Sequence, residues 1–269
     1  MVLTVGCSQP CCKDYYGNPR PIDKRAKPLT CIIGAKCAEA TVLIADTRIL
    51  RGYEATNESK VRLFWNDGVM TAAAGSVAVF DYVAQTIGEK SLENPNPQSF
   101  GKIVEVVEDS ITHVKSRYLP RMGEDYDIEL LCAGLEKVTS GEGHLKRIDK
   151  YGISENVERF AIIGHGAPYA ASLFGLMYDE MLTTREIGLL GSFVISTVIA
   201  LGYDQSVGVR EFGPEVIALR DDEKPIFMNI TENDFRNTNQ IAKSLKFKNK
   251  LVKSIWNYVP QAYSLETID

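Results

Sequence analysis

The order of strand-like and helical stretches is what most constrains this chain. Thr30 to Cys37 and Thr41 to Asp46 are apolar runs rich in β-branched residues. The short Cys37 to Ala40 connection between them reads as a hairpin turn. Val61 to Trp65 and Val69 to Ala74 form a second pair around Asn66-Asp67-Gly68, a strong turn signal. The period then changes to that of a helix. Val79, Phe80, Val83, Ala84 and Ile87 share one face of Val77 to Lys90. Ile103, Val106, Val107, Ile111 and Val114 do the same within Phe100 to Tyr118.

Strands are expected next at Ile128 to Leu135, His144 to Asp149 and Phe160 to Ile163. Two further helices follow, about Ala167 to Met181 and Thr184 to Leu201. Thr183 or Thr184 can cap the second, with Glu186 in its first turn. Strands at about Glu215 to Leu219 and Pro225 to Met228 precede a basic C-terminal helix, about Glu232 to Trp256. Strands, two helices, strands, two helices, strands is a layered α/β plan.

Residues 1–29 follow no such period. They hold Pro10, Pro19, Pro21 and Pro28 and a mixed charge run, Asp23-Lys24-Arg25. They read as a leader, propeptide or extended arm, with 30–269 as one domain. Hydrophobic residues make up 45% of the 269, enough for a sizeable core. The net charge of −5 argues against a dedicated nucleic-acid binder.

No apolar run reaches the roughly 18 residues that span a bilayer, so no membrane partner is expected. Met1 to Val5 is too short an apolar stretch for a signal peptide. The expected compartment is therefore the cytoplasm, where a disulfide framework is disfavoured. Cys7, Cys11 and Cys12 cluster, but no second cysteine pair or nearby histidine completes four ligands. No metal or cofactor is expected.

Several stretches carry a resemblance. Thr30-Cys31-Ile32-Ile33-Gly34-Ala35-Lys36, then Val42-Leu43-Ile44-Ala45-Asp46-Thr47-Arg48, resembles the opening of a proteasome subunit. That pattern is a threonine, a glycine four residues later, and an apolar strand ending in A-D-x-R. Arg62-Leu63-Phe64 resembles the family's K-[LI]-F, and Met70 to Gly75 its M-T-x-A-G strand end with one extra residue. His144 to Asp149 and Phe160 to Tyr169 resemble its R-I-D … A-I-G-S-G-x-x-Y segment. Ser206-Val207-Gly208 is similar to the same helix end in the bacterial Anbu branch.

The resemblance covers about Thr30 to Met228. It implies an α+β fold, a four-layer αββα sandwich of the N-terminal nucleophile hydrolase type. It also implies a ring-forming homo- or hetero-oligomer acting on peptides or unfolded protein.

In active members of that family the nucleophile is the hydroxyl of an N-terminal threonine. A free α-amine has an ordinary pKa of about 7.7–8.0, so near neutrality it can act as base for its own hydroxyl. Inside an intact peptide that nitrogen is an amide without basicity. The resemblance makes Thr30 the candidate nucleophile and 1–29 the segment to be removed. Asp46 and Arg48 match the family's charge network beneath the nucleophile, and Asp204 matches a further site position.

Gapless counting puts Arg62 at the family's active-site lysine, and a two-residue shift supplies Lys60. The difference matters, because arginine keeps its charge and supplies only field and hydrogen bonds. Gly75 matches the backbone N–H used as an oxyanion donor.

Some positions depart from the pattern. His165 stands where active subunits usually have serine. Val207 stands at a second serine position, with Ser206 one residue away. Leu29 stands where glycine usually precedes the cleaved bond. Cleavage before Cys31 would instead create an N-terminal cysteine nucleophile. A threonine peptidase, a non-catalytic subunit and another amide hydrolase or ligase on the same fold are the three readings these residues allow.

Overall fold

A computed structural model describes residues 30–51, 54–95, 99–122, 127–135, 143–200, 213–220 and 225–230. The expected leader, the C-terminal helix, Asp204 and Ser206 lie outside the described residues.

Two five-stranded antiparallel sheets face each other. The first has the order β10-β1-β2-β11-β12. Its strands are β1 (Ile32–Lys36), β2 (Ala40–Ala45), β10 (Phe160–Ile163), β11 (Glu215–Arg220) and β12 (Ile226–Asn229). The second runs β5-β6-β7-β8-β9, built from β5 (Val61–Phe64), β6 (Val69–Gly75), β7 (Ile128–Leu135), β8 (Gly143–Ile148) and β9 (Ser154–Asn156). A separate hairpin pairs β3 (Arg48–Arg51) with β4 (Glu54–Asn57).

Helices α1 (Val77–Glu93) and α2 (Phe100–Met122) cover the second sheet, and α3 (Ala167–Met177) and α4 (Thr184–Ala200) cover the first. This is the four-layer αββα sandwich that the family resemblance implied. Every strand pair is antiparallel, and helices come in pairs rather than alternating with strands. That makes the fold α+β, where the period alone predicted a layered α/β plan.

Strand alternation sorts the side chains into three cores. Ile33 and Ala35 on β1, and Cys31 just before it, join the core under α3 and α4, which also holds Phe174 and Phe193. Ile32 points the other way, into a layer between the sheets with Leu43, Met70, Leu131 and Ile217. The third core joins Val83, Ile87, Val107 and Ile111 to Leu130 and Ile148. The sheets approach closely at Gly34. A Cβ there would lie 2.9 Å from Leu131 and 3.1 Å from Leu145 of the opposing sheet.

Element ends follow local chemistry. Thr183 caps α4 through a reciprocal pair. Its hydroxyl accepts from the Glu186 N–H at 3.4 Å, and the Glu186 carboxylate accepts from the Thr183 N–H at 2.8 Å. The β5–β6 turn runs through three left-handed residues, Trp65, Asn66 and Asp67, so its strain begins one residue before the asparagine. α3 stops at Met177, earlier than its apolar period predicted, because Tyr178 turns extended and donates its hydroxyl to the Lys36 carbonyl at 2.7 Å.

Candidate active site

Thr30 and Cys31 lead into β1, and Asp46 follows the end of its neighbour β2. Two hydrogen bonds tie these segments together. The Asp46 N–H donates to the Cys31 carbonyl at 3.1 Å, and the Cys31 N–H donates to Asp46 Oδ1 at 2.9 Å. They aim the second carboxylate oxygen at the space beside Thr30.

Lys60 fills that space. Its Nζ donates to Asp46 Oδ2 at 2.8 Å and to Thr30 Oγ1 at 3.1 Å. All three groups are shielded from water, with Thr30 and Lys60 each 5% exposed and Asp46 0%. Burial pulls the Lys60 ammonium below its ordinary 10.5, and the Asp46 carboxylate opposes that shift. Arg48, half-buried on β3, adds its positive field to the lowering.

Arg62 is engaged elsewhere. Its guanidinium donates to the Ser59 carbonyl at 2.5 Å and lies 5.8 Å from the Phe80 ring centre. Asp81, also on α1, is 3.9 Å away. Of the two positions open for the family's lysine, the structure brings Lys60 to Thr30.

Gly75 ends β6 and lines one cleft with Thr30, Lys60 and Arg62. Its φ is 118°, and a Cβ there would lie 2.1 Å from the Asp127 carbonyl oxygen. Ser76 next to it caps α1, accepting from the Val79 N–H, so the helix N-terminus opens on the cleft.

His165 is exposed on the turn between β10 and α3. Its two flanking glycines, which composition did not single out, touch the site instead. Gly164 has φ of 93°, and a Cβ there would lie 2.0 Å from the Thr30 carbonyl oxygen. The Gly166 N–H donates to that same oxygen at 3.3 Å. The Gly164-His165-Gly166 pattern was the available signal, since closely spaced glycines mark a backbone that must pack against another. The Cys31 thiol enters the helix-side core. Burial first, then the Asp46 charge, push its pKa well up, which keeps it protonated.

A buried ammonium shared by a carboxylate and a hydroxyl can orient that hydroxyl and stabilise it as it loses its proton. Thr30, Asp46, Lys60 and Gly75 come from four places in the sequence: the start of β1, the end of β2, the approach to β5 and the end of β6.

The chain is similar to known structures over nearly its whole length. Anbu, an ancestral β-subunit from Yersinia bercovieri, superposes with a TM-score of 0.64 at 16% identity, covering 89% of this chain and 98% of that one. Two Anbu structures from Hyphomicrobium sp. strain MC1, one a Gly-1 mutant, superpose with TM-scores of 0.65 and 0.63 at 18% identity and the same coverage. At such identities the likeness is one of fold. No curated protein matches the sequence. A sequence model of the proteasome subunit matches residues 29–205. That match spans more than half of the chain, which therefore belongs to the proteasome subunit family.

Proposed function

We propose that this chain is a threonine-type endopeptidase subunit, degrading peptides or unfolded protein within a ring of proteasome-type subunits. The observation that carries the proposal is the Lys60 ammonium, held at 3.1 Å from Thr30 Oγ1 by the buried Asp46 carboxylate.

The chemistry begins with cleavage of the Leu29–Thr30 bond, which turns the Thr30 amide into a free amine. That amine accepts the hydroxyl proton, directly or through a water. Lys60 donates to Oγ1, so the hydroxyl's own proton is left for the base and the developing negative charge is stabilised. Oγ1 attacks the substrate carbonyl. The Gly75 N–H and the positive end of α1 face the resulting oxyanion. The amine then returns its proton to the leaving nitrogen, and water hydrolyses the ester to regenerate Thr30.

Two measurements on the full chain test this. Intact mass should show a chain beginning at Thr30, and Thr30→Ala should abolish hydrolysis of a fluorogenic peptide. Hydrolysis that survives in Thr30→Ala overturns the proposal.

A second reading, a non-catalytic ring subunit, is favoured by Leu29 and by His165, which sits exposed where a site serine is usual. Purified protein that keeps residues 1–29, forms rings and turns over no peptide would establish it.

A further inference from the structure

We infer that Glu215 is a positioning residue for Lys60, reaching from the first sheet to turn the segment ahead of β5 so that Lys60 meets Thr30. Its catalytic consequence rests on the threonine-peptidase reading, while its geometry can be tested apart from that reading.

Strand alternation is the starting point. Val61 and its partner Ala72 face the layer between the sheets. Arg62 therefore faces the other way, toward Phe80 and Asp81 of α1. A strand continued back from Val61 would send Lys60 to the Arg62 side as well. Residues 58–60 are not in a strand, and Lys60 turns inward to Asp46 and Thr30 instead.

Glu215 holds that departure from strand geometry. It opens β11 opposite Ala45, the residue just before Asp46. Its Oε1 accepts from the Ser59 hydroxyl at 2.6 Å, and its Oε2 accepts from the Lys60 N–H at 3.1 Å. The Ser59 hydroxyl in turn accepts from the Val61 N–H at 3.3 Å. Both bonds to the carboxylate are charge-assisted.

Two neighbouring strands of one sheet thus grip one lysine of the other. Asp46, after β2, takes its tip, and Glu215, on β11, takes its backbone. The groups around the ammonium are Asp46, Cys31 and Arg48, with Glu215 acting on the main chain.

The test uses full-length protein and two readouts that need no activity. One is hydrogen exchange of the peptide containing Lys60, and the other is acetylation of Lys60 by acetic anhydride, both read by mass spectrometry. In Glu215→Ala, exchange and acetylation should each rise by about tenfold or more, the scale of a lost charge-assisted hydrogen bond. Protection of the β7 peptide should stay unchanged, which separates local release from unfolding.

Glu215→Gln keeps the shape and one acceptor oxygen, and Ser59→Ala removes one of the two bonds. Both should move in the same direction by less, and they carry the test if Glu215→Ala does not fold. Unchanged Lys60 exchange and acetylation in the folded variants overturn the inference. If wild type hydrolyses peptide, kcat should fall in Glu215→Ala with KM held, and the alkaline limb of the pH profile should move up. Release of Lys60 in a protein that hydrolyses nothing supports the Glu215 role while removing the peptidase reading.

Discussion

The two halves of the sandwich resemble each other in build but not in what they bring to the site. The half built on β1, β2 and β11 contributes the hydroxyl of Thr30 and the carboxylates of Asp46 and Glu215. The half built on β5 and β6 contributes the ammonium of Lys60 and the glycine at the head of α1. Neither half holds a complete site. At one end of the layer between the sheets, the polar groups of one half meet those of the other. This places the chemistry at a seam between two well-packed units, where changes of similar thermodynamic size have different functional meaning.

The largest expected effect breaks the seam itself. Asp46→Ala leaves the Lys60 ammonium buried without its carboxylate, and should cost about 3–5 kcal/mol in urea unfolding. Phe174→Ala, in the core of one half, should cost a similar ~3–5 kcal/mol. It should leave Lys60 protected from exchange where the protein stays folded. Equal losses of Lys60 protection in both variants would erase the distinction between seam and core.

Gly164→Ala comes next. It forces an alanine into left-handed geometry against the Thr30 carbonyl, with a strain of about 1–3 kcal/mol. A crystal structure should show Thr30 displaced from Lys60, and an unmoved Thr30 would count against this turn as a support of the nucleophile.

The pH dependence of stability is a subtler probe. Lys60 binds its proton less tightly in the folded chain than at its ordinary 10.5. Below its lowered value both states are protonated, and the cost of the buried charge is fully present. Between that value and 10.5 the unfolded chain holds more protons at this group, so its contribution to stability rises with pH. Cys31, Cys132 and Tyr178, whose pKa values burial raises, work the other way on the alkaline side. The readout is therefore a difference: in urea unfolding, stability should fall less with pH in wild type than in Lys60→Gln, and parallel curves would count against a buried Lys60 charge. Smallest of all, Arg62→Gln removes a partly exposed, loosely paired charge and should change stability by under ~1 kcal/mol. A larger loss would mean that Arg62 shares the work assigned to Lys60.

Much of each half was legible in the sequence. The paired apolar runs at Thr30–Asp46 and Val61–Ala74, and the two helix pairs, stand where their periods put them, except that α3 ends at Met177 rather than near Met181. The hairpin of β3 and β4 was not legible, because Arg48–Arg51 and Glu54–Asn57 carry charge and no sustained alternation. β9 is only three residues, Ser154–Asn156, too short for a period to show.

At the site, Thr30 and Asp46 were marked by the family resemblance of the hairpin that carries them, and the structure places both beside Lys60. The choice between Lys60 and Arg62 was not so marked, since it turns on the path of three residues outside any strand. That path is held by Glu215, which lies 155 positions away from Lys60 in the chain. Spacing along a strand carries no trace of such a contact.

Gly34 gives the seam its gauge. The sheets meet there through a missing side chain, with Leu131 and Leu145 pressed close to where a Cβ would sit. An added methyl group would first meet the ends of Leu131, Leu145 and Leu43, which can turn aside. Thr30 rides on one jaw of the sandwich and Lys60 on the other, so the distance between hydroxyl and ammonium is a gauge of how the leucines in the middle of the molecule are packed.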